Sequence, residues 1–90
     1  MKALALRVRA EARRLRDSLA HEPLAFMLFD EIDAKLGRRI NRLEGIAVTP
    51  HAQYEADTIL DPNAAWQGKH GCFLDFCEEL DLVMGRKTTT

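Results

Sequence analysis

His70-Gly71-Cys72 sets an imidazole and a thiol two positions apart, Cys77 follows five residues later, and His51 lies upstream. Nitrogen and sulfur are the donors a tetrahedral zinc takes, so His51, His70, Cys72 and Cys77 form the candidate metal set. Structural zinc sites present two close ligand pairs on turns or helix ends, and here only His70 and Cys72 make such a pair. If the segment is helical, Cys72 and Cys77 point about 140° apart at about 100° per residue, which separates them as ligands and disfavours a local disulfide. A reduced cysteine more often serves as a small buried hydrophobe. We expect no cofactor, and a zinc-stabilised module is the third functional reading.

Catalytic combinations are equally sparse. Cys72, His70 and Asp75 hold the atom types of a nucleophile, a base and an orienting acid, yet nothing in the sequence brings them together. Glu78 and Glu79 are adjacent carboxylates, but helical neighbours point about 100° apart and do not share a site. There is no glycine-rich phosphate loop, no nucleophile elbow and no histidine pair on a helical turn. A non-enzymatic function is expected.

Arg7, Arg9, Arg13, Arg14 and Arg16 crowd the first 20 residues, which hold six basic and two acidic side chains. Clustered arginine is what phosphate contacts require, so these five residues define the alternative reading, a nucleic-acid-binding domain. Against it stand the sequence pI of about 6.3 and the lack of any aromatic residue among them to stack on bases. On a helical wheel the arginines also divide: Arg9, Arg13 and Arg16 flank one side of an apolar face, Arg7 and Arg14 the other.

That face belongs to a helix over about residues 3–20, where Leu4, Val8, Ala12, Leu15 and Leu19 recur at helical spacing with no interrupting Gly or Pro. Pro23 suits the first turn of a second helix, about 23–44, with Ala25, Leu28, Phe29, Ile32, Leu36, Ile40 and Leu43 inward and Gly45 as its left-handed stop. So short a joint makes the pair an αα-hairpin or a sharply kinked pair. Thr49-Pro50 reads as cap and first position of a third helix, about 50–60, with Ala52, Ala56, Ile59 and Tyr54 inward. Asp61-Pro62 repeats that signal, suggesting a one- or two-turn helix at about 62–66 before Gly68 and Gly71 break it. A last helix spans about 72–84, burying Phe73, Phe76, Cys77, Leu80, Val83 and Met84, and Gly85 ends it. No alternating β-branched run supports a sheet. The fold class is therefore all-α, a small helical bundle forming one domain over 1–87, with 88–90 as a disordered tail.

At 90 residues and 10.2 kDa the core is thin, with about 60–65% of the unfolded surface buried. No run approaches 18 apolar residues, and arginines stand where a signal peptide would be uncharged, so a soluble, cytoplasmic protein with reduced cysteines is expected. Leu6, Met27, Leu74 and Leu82 fall outside the stripes and Phe26 at an edge, an apolar surplus suited to a partner. Trp66, between Pro62 and Gly68, is a candidate anchor or else a core plug over the bundle end, and the acidic outer side of the last helix (Asp75, Glu78, Glu79, Asp81) suits a basic surface. The expected partner-binding set is Phe26, Met27, Trp66, Leu74, Asp75, Glu78, Glu79 and Leu82. The expected function is a non-catalytic protein-binding module, a small regulator, adaptor or stoichiometric inhibitor of a larger complex, with self-association as a homodimer also open.

Overall fold

A computed structural model describes residues 1–88, with side chains through Gly85. Its elements are α1 (Lys2–Ser18), α2 (Pro23–Ile40), a 3-10 turn at Asn41–Leu43, α3 (Pro50–Ile59) and α4 (Trp66–Thr88). The all-α bundle read from the sequence is what forms, with α1 packed on α2 and α3 on α4. The molecule measures 45 × 23 × 18 Å, a length set by α4, whose 23 residues span about 34 Å at 1.5 Å each.

Each stripe closes on the others. Leu4, Val8, Ala12 and Leu15 of α1 meet Phe29, Ile32, Leu36 and Ile40 of α2, and Ala52, Ala56 and Ile59 bring α3 against Phe73, Phe76 and Leu80. Phe29 is the hub, with the rings of Trp66, His70 and Phe73 set edge-on at centroid distances of 6.0, 6.1 and 5.7 Å. Such pairs add about 0.5–1.5 kcal/mol beyond the area they bury. They also fix the start of α4 beside the start of α2, while Arg39 Nε donates to Asp81 Oδ1 at 2.7 Å lower down. Both links join residues about 42 apart, so α2 and α4 run parallel and side by side.

Boundaries differ from the sequence expectation in five places. Helix α1 stops at Ser18, and α2 at Ile40, where the chain tightens into the 3-10 turn before Gly45 adopts φ +76°, the left-handed stop anticipated there. Residues 62–65 are not helical: Asp61 Oδ1 accepts the Asn63 amide at 2.9 Å and its carbonyl accepts the Ala64 amide, an Asx turn that competes with the helix. Gly68 and Gly71 do not break α4, which starts at Trp66, because Lys69, Phe73 and Phe76 on its inner side hold it against the core. Nor does Gly85 end it; α4 reaches Thr88, while Thr89 and Thr90 of the expected tail lie outside the described residues.

Candidate interaction surface

Helix α1 turns its arginines toward carboxylates of its own chain. Asp33 is buried on the α2 stripe, and its Oδ1 accepts from Arg9 Nε and Arg13 Nε, each at 2.8 Å. Arg16 reaches Asp30 at 3.2 Å and lies 3.7 Å from Asp33 Oδ2. Burial pushes the Asp33 carboxyl up, but the hydrogen bonds from Arg9 and Arg13 outweigh it and hold the group below the usual carboxylate range. On the opposite flank Arg14 grips Glu11 through two bonds of 2.7 Å, and Lys69 Nζ donates to Glu11 Oε2 at 2.7 Å. Arg14, then burial in opposition, then Lys69 set the Glu11 carboxyl, and the net effect is downward. Of the five arginines only Arg7 has no ionic partner among the described residues. The two-flank arrangement thus consumes four of them, and a phosphate would have to compete with a carboxylate at each.

The sulfur and imidazole set does not assemble. Among the described residues no three His, Cys, Asp or Glu side chains are grouped to hold a metal ion. Cys77 is buried in the core, and Cys72 is half-buried in α4 beside Glu55 of α3. Burial pushes both thiols up, and the hydrogen bond to Glu55 adds to this at Cys72, the reverse of what a nucleophilic thiolate needs. His51 approaches Glu55 at 3.8 Å on α3, whereas His70 lies edge-on to Phe29.

One member of the expected partner set is corrected, and another takes the second of its two expected places. Glu79 is buried rather than outward, its Oε2 accepting the Thr49 hydroxyl at 2.6 Å, which ties the α3 cap to α4. Trp66 is the first residue of α4, half-buried against the core and pressed to Phe29, so it plugs the bundle end. Asp81, on the same acidic side, is occupied by Arg39. Tyr54, expected inward, faces solvent, and Glu55 takes the buried position. Met27, Leu74 and Leu82 stand exposed, Phe26 is borderline, and Asp75 and Glu78 are exposed with no ion pair among the described residues.

The elbow between α1 and α2 concentrates the apolar exposure. Pro23 fixes the first turn of α2, which puts Leu24 and Met27, three residues apart, on the side away from the core. Leu24 is 78% exposed and Met27 65%, and an open hollow of about 310 Å³ lined by His21, Glu22, Pro23 and Leu24 adjoins them. Sequence reasoning passed over Leu24, although its wheel position, about 140° from Phe29 and about 120° from Leu36 at about 100° per residue, was the available signal. It also missed Asp33 and Lys69. Both occupy positions of an apolar stripe, Asp33 beside Phe29, Leu36 and Ile40, and Lys69 before Phe73 and Phe76.

Comparison with family models, with curated proteins and with solved structures yields no match to this chain.

Proposed function

We propose that this chain is a non-catalytic protein-binding module that acts as a small regulator, adaptor or stoichiometric inhibitor by docking its α1–α2 elbow on a larger macromolecular complex. The supporting observation is the exposed pair Leu24 and Met27, with Phe26 at its border, beside the hollow formed by His21 to Leu24. Burying a Leu or Met side chain is worth about 1.5–3 kcal/mol, a contribution this fold leaves unused at both positions. Flexible methionine and bulky aliphatic side chains at the rim of a hollow are favoured contacts in protein interfaces. The arginines support a nucleic-acid partner less well, since four are ion-paired within the chain. Two free thiols, both pushed toward the neutral form, fit a cytoplasmic setting. No helix among the described residues is long and apolar enough to cross a membrane.

The test is retention of proteins from source-cell lysate by the tagged chain, with and without nuclease, for the native sequence and for Leu24→Ser/Met27→Ser. The reading requires a stoichiometric partner that survives nuclease and is lost from the double variant, whose thermal melt stays unchanged because both residues face water. A partner that vanishes with nuclease, or one retained equally by the variant, overturns it.

A further inference from the structure

Away from the elbow, the outer side of α4 has a symmetry of its own. Gly71, Leu74, Glu78, Leu82 and Gly85 follow at steps of three, four, four and three residues, forming one stripe opposite Phe73, Phe76 and Leu80. The stripe reads identically in both directions from Glu78, with leucines four residues away on each side and glycines seven away. Leu82 is 58% exposed and Leu74 37%. The two glycines sit inside a helix, where glycine is the weakest ordinary former, and a Cβ at either would meet nothing within 4 Å among the described residues. The packing of the described residues therefore gives no reason for Gly71, whereas close approach of a second helix does.

Charge points the same way. On α2, Arg38 is exposed, its guanidinium is without an ion pair among the described residues, and it adjoins Arg39, which bonds Asp81 of α4. The Arg39–Asp81 bond sets the α2-to-α4 offset at 42 residues, so Arg38 lies level with position 80 of α4. A two-fold axis at Glu78 carries position 80 to the level of position 76 on the second copy, within an arginine's reach of that copy's Glu78. The two Glu78 carboxylates that meet at the axis are then matched by two Arg38 guanidiniums.

We propose that this stripe is a homodimer interface in which a second copy lays its α4 antiparallel across the first about a two-fold axis at Glu78, an isologous contact of leucine on leucine and glycine on glycine. It uses a different face from the elbow and stands or falls separately from the partner-binding reading.

Sedimentation equilibrium of the full chain over a concentration series tests it, with an expected dimer of twice 10.2 kDa. Gly71→Gln fills space that is open in one chain and improves the helix, so helicity and monomer folding persist while the dimer dissociation constant rises at least about tenfold. Arg38→Glu weakens the dimer similarly, and Arg38→Glu/Glu78→Arg restores it to within about threefold of the native value. A native chain that stays at 10.2 kDa throughout, a dimer indifferent to Gly71→Gln, or a charge exchange that restores nothing overturns the proposal.

Discussion

Lys69 is 1% exposed, and Glu11 is its only ion-pair partner among the described residues, so the two ends of this bond should respond very differently to removal. At 2.7 Å and an effective dielectric of about 20 the gross attraction is about 6 kcal/mol, while desolvation costs several kcal/mol for each ion. The pair as a whole thus contributes little. Deleting Glu11 is another matter, because the ammonium then remains between α1 and α4 with no counter-charge, and breaking a buried pair this way costs about 3–5 kcal/mol. Deleting Lys69 leaves Glu11 held by the two bonds from Arg14, so the loss should stay under about 1.5 kcal/mol.

A domain of this length is stable by about 5–13 kcal/mol, so Glu11→Leu removes a quarter or more of the total. Urea denaturation followed by circular dichroism at neutral pH measures all three variants, Glu11→Leu, Lys69→Met and the double. The double should recover to within about 1 kcal/mol of the native chain, since both charges are gone and the gap is filled with apolar atoms. Arg14 does not confuse the comparison, because its side chain is 59% exposed and returns to water. If Lys69→Met costs as much as Glu11→Leu, or Glu11→Leu costs less than about 1 kcal/mol, the argument that Lys69 is sealed from solvent is wrong.

Two further outcomes follow from the ion pairs of α1. The Asp33 carboxyl is held low in the folded chain, so it stabilises the fold at pH values above the ordinary unfolded carboxyl pKa, and that contribution is lost as pH falls below about 4. Asp33→Asn should therefore be less stable than the native chain at about pH 6, with the gap narrowing toward about pH 2.5, as read by urea melts at each pH; a gap independent of pH refutes the linkage. At Gly37 an added Cβ would come within 2.7 Å of Arg9 Nη2, the mobile end of the side chain that bonds Asp33. Gly37→Ala should gain about 0.5–1 kcal/mol of helix propensity in an Arg9→Ala background and measurably less in the native one, and equal gains in both would show that Arg9 gives way freely.

Local rules carried the fold a long way here. Stripes at helical spacing placed nearly all of the core, and Pro23, Pro50 and Gly45 marked the ends where a missing amide or a positive φ decides the geometry. They failed where tertiary packing overrode a local preference. Gly68 and Gly71 read as breakers because glycine disfavours a helix, but the burial of Phe73 and Phe76 on the other side of α4 outweighs that cost. The capping rule failed after Asp61 for the opposite reason, since its carboxylate bonds the amide two residues on and closes a turn instead. The arginine helix illustrates a limit of charge counting. Five arginines can make a phosphate surface or internal bonds, and the partner of Arg9 and Arg13 is Asp33, which lies on the buried stripe of the neighbouring helix, a position that a search for apolar residues skips.

The elbow and the α4 stripe, taken together, make a prediction that neither makes alone. The ring contacts of Phe29 set the starts of α2 and α4 at one end of the bundle, so the elbow lies toward that end. Antiparallel pairing of α4 would then display two elbows pointing to opposite ends of the dimer. A partner immobilised densely enough to engage both would be held by avidity, since the second contact is intramolecular, whereas a single partner in solution would see one elbow at a time. Gly71→Gln should accordingly leave solution affinity per chain unchanged and speed release from a dense surface by about tenfold or more. Leu24→Ser/Met27→Ser should weaken both while leaving the dimer intact. A Gly71→Gln variant that loses solution affinity would mean that the second copy completes the binding site, and the two faces would have to be treated as one.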